Sequence, residues 1–182
     1  RLSITLAAEW GPSPRLSDDF AHPLNMTLGA IQDDSLVREI SKRMAEQNKA
    51  LGIHFNFSPS VDVNNNSKNP IIGNRSFGED PINVYKKAKA YIQGHKDVGV
   101  YTSIKHFPGH GDTDKDSHKT LPVISGNMKK LNNVELFPFK KLIDDGLVES
   151  VMLAHLSVPA IDKRYPSSLL SKTVNKLLRD EY

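Results

Sequence analysis

The 182-residue sequence predicts an α/β fold built on parallel strands, and three features carry that expectation. Strand-like and helix-like segments alternate from end to end. The strand-like runs are apolar without strict alternation, as expected where both faces of a strand are covered. Loops rich in charge, glycine or proline follow the strands, whereas the returns from helix to strand are short. The helices are long enough for right-handed crossovers between parallel strands.

Leu2 to Ala8 is an apolar run suited to a buried strand. Asp34 to Leu51 follows, with Leu36, Val37, Ile40, Met44 and Leu51 at helical spacing. Asp33, Asp34 and Ser35 stand where a helix N-terminus favours caps and negative charge. Ile53 to Phe57 reads as a second strand. Ile82 to Val98 is a helix carrying Val84, Ala88, Tyr91 and Ile92. Val100 to His106 is the third strand, and a helical region runs from about Met128 to Asp145. Pro138 should break or restart that region, because its ring removes a backbone donor and clashes with the preceding turn. Val148 to Leu156 is the fourth strand and Leu169 to Tyr182 a final helix. Four strand–helix units result. Their polar loops (EWGPSPR, SPSVDVNNN, KHFPGHGDTDKDSH and AHLSVPAIDKRYP) lie at strand carboxyl ends, where parallel α/β sheets assemble sites.

Composition narrows the function. Hydrophobic residues at 38% and charged residues at 25% suit one globular domain with a real core. The net charge of +3 is small, and Lys86, Lys87, Lys89 and Lys96 alternate with Ala88, Tyr91 and Ile92. That pattern reads as a solvated helix face and not as a nucleic-acid footprint. The absence of cysteine excludes disulfides and thiol ligands. No apolar run approaches the ~20 residues that span a bilayer.

The chemistry concentrates in KHFPGHGDTDKDSH, residues 105–118, with three histidines and three aspartates. Asp112, Asp114 and Asp116 resemble the opening of a calcium loop. Ser117 and Val123, however, occupy the positions that such a loop gives to Gly and Glu. His106, His110 and His118 match no zinc spacing, so no metal is expected. The G-x-x-x-x-G-K-[ST] phosphate cradle is absent as well. Proton transfer fits better than either, with a solvated loop carrying incidental histidines as the equally open alternative. Asp116 lies two residues from His118, close enough for its carboxylate to fix the imidazole tautomer and favour the charged form. The other ring nitrogen is then ready to donate a proton near neutral pH. Lys105 and His106, at the end of a strand, suit holding a polar substrate.

That loop, read together with IIGNRSFGEDP (residues 71–81), AEWGPSPRL (8–16), SPSVDV and VMLAHLSVPAID, resembles family 3 of the glycoside hydrolases. The D-S-H ending points to its β-N-acetylglucosaminidase branch. The resemblance covers essentially all of residues 1–182. It implies the central portion of a (β/α)8 TIM-type barrel, about four consecutive units of the eight in a whole barrel. It also implies retaining hydrolysis of terminal β-linked N-acetylglucosamine, without a cofactor. His118 would be the acid/base and Asp116 its partner, while Arg15, Arg75, Lys105 and His106 match the sugar-binding residues. An amino-sugar glycoside or a peptidoglycan-derived compound, as in cell-wall recycling, is the implied substrate. Other roles remain open for single residues. Arg75 could pair with Glu79 or Asp80 to hold its loop, and Asp62 reads equally as part of a turn and stays outside the first rank. Trp10 could stack on sugar or fill the core, and His155 could line the pocket or cap its strand.

Two departures from the family pattern stand out. An aspartate that binds sugar hydroxyls is replaced by Ala7, a loss of about 1.5–3 kcal/mol for a charged hydrogen bond or a shift in specificity. The family's nucleophilic aspartate has no counterpart in these 182 residues, so this polypeptide alone is expected to be inactive and its open sheet edges sticky. A catalytically incomplete carbohydrate-binding remnant, a glycoside phosphorylase and a metal-dependent hydrolase are the competing functions. The compartment and the oligomeric state are not legible.

Overall fold

The computed structural model describes residues 2–14, 16, 20–115 and 120–182. Its strands are parallel, as expected. β1 (Thr5–Leu6), β2 (Phe55–Asn56) and β3 (Tyr101–Thr102) form one sheet in that order, with Leu6 opposite Asn56 and Asn56 opposite Thr102. β4 (Ile104–Phe107) pairs with β5 (Val151–Leu153). A bridge from Ser60 to Lys105 runs the segment after β2 alongside β4, so the two ladders follow one another through the molecule. The described strands do not close into a barrel.

The helices follow their sequence signals. α2 (Asp34–Ala50), preceded by the one-turn α1 (Asn25–Gly29), starts where the Asp33 carboxylate accepts the Ser35 N–H. α3 (Pro81–Val98) is capped by Asp80, which accepts from Ile82 and Asn83. It begins on Pro81 and ends at Gly99, whose φ of 79° suits a residue without Cβ. α2 and α3 approach closely at Gly94, where a Cβ would stand 2.4 Å from the Arg38 carbonyl oxygen. Pro138 restarts the helical region as foreseen. α4 (Met128–Asn133) ends before it, and α5 (Phe137–Asp144) carries it in the first turn. The closing helix, Lys172–Asp180, is wound as a π-helix and buries Thr173 and Leu177.

The core lies between these helices and the strands. Val84, Tyr91, Ile104, Phe107, Phe139, Leu142 and Leu156 are all fully buried within it.

Two expectations fail. β1 is not a buried strand: it has one neighbour among the described residues, and Leu2 is 89% exposed. The lysines of α3 are not uniformly solvated either. Lys87 points inward beside Val84, Ala88 and Tyr91, and its ammonium donates to the Asp34 carboxylate and the Ile31 carbonyl. Burial of a lysine is tolerated here because the charge is paired.

Candidate functional site

The carboxyl ends of the strands bring together residues that are far apart in sequence. Glu9 follows β1, Asp62 follows β2, Arg75 lies in a 3-10 turn, Gly73–Arg75, and Lys105 and His106 belong to β4. A cleft of about 310 Å³ opens beside them, lined by Ala7, Glu9, Trp10, Pro14, Arg75 and Lys105. Trp10 lines the cleft and is partly buried against the core.

Glu9 is the hub of the cleft. Its carboxylate accepts from Arg75 Nε at 2.9 Å and from Arg75 Nη2 at 2.5 Å, and it pairs with Lys105 Nζ at 2.5 Å. Burial alone would raise the Glu9 pKa, but the Arg75 hydrogen bond and the charges of Lys105 and Arg75 outweigh it and hold the carboxyl below its ordinary value. Burial draws the Lys105 pKa down against the pull of Glu9. Arg75 does not pair with Glu79 or Asp80 as a loop clamp, because Glu9 takes its fork and Asp80 caps α3. Arg75 Nη1 also donates to the Ile71 carbonyl, and Nη2 lies 3.4 Å from His106 Nε2. Lys105 Nζ completes its bonds with the Phe57 carbonyl at 2.6 Å.

Behind this layer sits Asp62, fully buried. Oδ2 accepts from Ser60 Oγ at 2.8 Å and lies 2.7 Å from His106 Nδ1. Oδ1 accepts the backbone N–H of His106 at 3.2 Å and of His110 at 2.7 Å. Burial would raise this carboxyl, but the charge and hydrogen bonds of His106, with the Ser60 hydroxyl, pull it well below the usual carboxylate range. Asp62 is thus ionised and can only accept, so the proton on His106 Nδ1 is directed at it. The register explains how β4 spares the His106 N–H. Lys105 faces Met152 and Phe107 faces Leu153, leaving His106 as the extra residue of a bulge, a common device for re-aiming a side chain.

The loop leaving β4 is pinned at its root. Asn69 Nδ2 donates to the carbonyls of His110 and Gly111, and the Thr113 hydroxyl lies 2.7 Å from His110 Nδ1. Asp112, one of the three aspartates of the calcium-like run, pairs with Lys130 at 2.5 Å. Among the described residues no three His, Asp or Glu side chains converge as a metal shell. His110 is buried, and burial lowers its pKa.

Of the residues expected from sequence, Arg75, Lys105 and His106 therefore meet in one cluster, and His155 pairs with Ser168 on an exposed surface. Asp116, His118 and Arg15 lie outside the described residues. Sequence reasoning missed Glu9 as the hub and set Asp62 aside. The local signal for Asp62 was its place between two valines, Val61 and Val63, which the structure buries.

Comparison with known proteins gives a consistent picture. The family described as "Glycosyl hydrolase family 3 N terminal domain" matches residues 1–182. Beta-hexosaminidase A of Pseudoalteromonas piscicida is 37% identical over 179 residues, covering 96% of this chain and 29% of that protein. A beta-hexosaminidase of Nitrosomonas eutropha is 35% identical over 187 residues, covering 99% of this chain and 53% of that protein. Among solved structures, a glycoside hydrolase family 3 beta-N-acetylglucosaminidase from Paenibacillus sp. str. FPU-7 superposes with a TM-score of 0.94 at 41% identity. That match covers 99% of this chain and 34% of the other. The chain thus spans between 29% and 53% of the length of these relatives.

Proposed function

This chain belongs to glycosyl hydrolase family 3, and on that footing we propose that it carries the sugar-holding and acid/base part of a retaining β-N-acetylglucosaminidase. The observation that carries the reading is the Glu9–Arg75–Lys105–His106 cluster at the strand ends, of which Glu9, Arg75 and Lys105 line the cleft. Guanidinium and ammonium donors fixed by one buried carboxylate suit the hydroxyl and N-acetyl oxygens of a neutral amino sugar. They are already oriented, so little ordering is required on binding. Arg15 joins them in this reading. Relatives named as hexosaminidases and a solved β-N-acetylglucosaminidase support the substrate class.

The loop rooted at His110–Thr113 leads on to Asp116 and His118, which serve as the acid/base pair. In the first step a nucleophilic aspartate attacks the anomeric carbon as His118 protonates the departing glycosidic oxygen. In the second, His118 takes a proton from water, which attacks the same carbon and releases the aspartate. The anomeric configuration is retained. The nucleophile is supplied by polypeptide outside these 182 residues. The cleft supports this assignment, for Glu9, the one carboxylate lining it among the described residues, is saturated by two cations, and Asp62 is buried behind it. The chain is accordingly the central portion of one (β/α)8 catalytic domain, and amino-sugar glycosides of peptidoglycan origin fall within its substrate class.

The test compares two proteins on a chromogenic β-N-acetylglucosaminide. The intact protein turns it over, and the 182-residue polypeptide alone does not. Robust turnover by the short polypeptide would sink the division of labour proposed here. Adding phosphate separates the remaining chemistry, since a phosphorylase would release the sugar 1-phosphate and a hydrolase the free sugar.

A further inference from the structure

We infer that Asp62 is a positioning residue that fixes the sugar-holding His106 and the root of the acid/base loop through one buried carboxylate. The inference rests on the glycosidase reading above. Each oxygen of Asp62 has a distinct task. Oδ2 faces the ring of His106 at Nδ1 (2.7 Å) and is steadied by the Ser60 hydroxyl (2.8 Å). Oδ1 bridges the backbone N–H groups of His106 (3.2 Å) and His110 (2.7 Å).

The consequence for His106 is chemical. With Nδ1–H committed to Asp62, neutral His106 presents a bare Nε2 lone pair toward Arg75 Nη2, 3.4 Å away. The ring then accepts from Arg75 on the side facing the cleft-lining residues, and so helps to aim the guanidinium that donates to the sugar. Without Asp62 the ring is free to rotate or to change tautomer, and Arg75 would lose the acceptor at Nε2.

The consequence for the loop is geometric. The His110 N–H is the first loop donor tied back to the β2 side of the sheet, and Asn69 secures the next two carbonyls. The chain reaches Asp116 a few residues later. A carboxylate shared between a strand end and a loop root ties the height of the loop to the position of His106. Substrate holding and proton delivery are then set by the same group.

Asp62→Asn tests the inference in the intact protein. The amide keeps the shape but removes the charge and turns one acceptor oxygen into an N–H donor, facing either the His106 ring or the two backbone N–H groups. Two readouts are independent of turnover. Nitrogen-15 chemical shifts of His106 in the wild-type protein are expected to show a protonated Nδ1. Amide exchange at His110 is expected to be slow in the wild type and faster in the variant. For catalysis, kcat/KM on a β-N-acetylglucosaminide should fall about 10- to 100-fold, the range for one charge-assisted hydrogen bond. The loss should be divided between a higher KM and a lower kcat. A wild-type His106 with bare Nδ1 and protonated Nε2 overturns the inference. So does a folded variant whose kcat/KM changes less than about 2-fold, or one that raises KM and leaves kcat alone. Should Asp62→Asn fail to fold, the wild-type tautomer decides. A wild-type protein inert toward the glycoside would refute the glycosidase reading, while the tautomer and exchange measurements still judge Asp62.

Discussion

Replacing Glu9 with glutamine removes the carboxylate paired directly with two cations, and its cost follows from their surroundings. Arg75 has 27% of its side chain exposed and keeps the Ile71 carbonyl, so water screens much of its loss. Lys105 is different. Its side chain is 4% exposed, and without Glu9 its ammonium keeps only the Phe57 carbonyl. Breaking a buried pair by removing one partner costs about 3–5 kcal/mol, because the other charge stays behind uncompensated. Glutamine can still accept one bond through its carbonyl oxygen, which places the expected loss near the lower end, about 3 kcal/mol. With urea slopes of about 1–3 kcal/mol/M, the unfolding midpoint of the intact protein should drop by roughly 1–3 M. Equilibrium urea unfolding followed by tryptophan fluorescence measures it, with Trp10 beside the site as a reporter. A midpoint shift below about 0.3 M would show that Glu9 does not hold the two cations and would refute the description of the cleft.

Two further outcomes are expected. His95 is fully buried between Ser41 and Asn56, and burial pushes its pKa down to about 4 from an ordinary 6.5. Between those values the unfolded chain binds the extra proton, so stability is full above pH 6.5 and is lost as pH falls toward 4. The loss is about 3 kcal/mol, and His95→Gln should flatten that part of a stability–pH curve measured by chemical denaturation. At Gly111 a Cβ would stand 1.7 Å from the Val63 carbonyl oxygen, a backbone atom that cannot rotate away. Gly111→Ala should therefore displace the loop root and lower kcat by about 100-fold, the penalty of roughly 1 Å of misplacement, as read from initial rates.

The parts of the fold that were legible are those governed by neighbours in sequence. Asp33 announces one helix, and Pro138 restarts another. Each acts on backbone groups within a few residues. The extent of burial was less legible. Whether Leu2 is covered depends on what flanks β1, and Lys87 is buried because Asp34, 53 residues away, meets it. The site divides in the same way. Lys105 and His106 could be read from their place at the end of a strand within a distinctive loop. Glu9 could not be recognised as the hub, since its meaning comes from Arg75, 66 residues on in sequence. Asp62 is defined by His106 across 44 residues and by a bulge in β4 that no local pattern announces. Long-range ionic contacts were therefore the illegible layer of the site, and they are what orient its donors.

Retention of configuration by a β-N-acetylglucosaminidase is the central claim, and one time course tests it directly. The intact protein is mixed with 4-nitrophenyl N-acetyl-β-glucosaminide, and the anomeric proton of the released sugar is followed by NMR. The account predicts that the β-anomer appears first and equilibrates slowly toward α. An α-anomer as the first product, or no release of sugar at all, would contradict it.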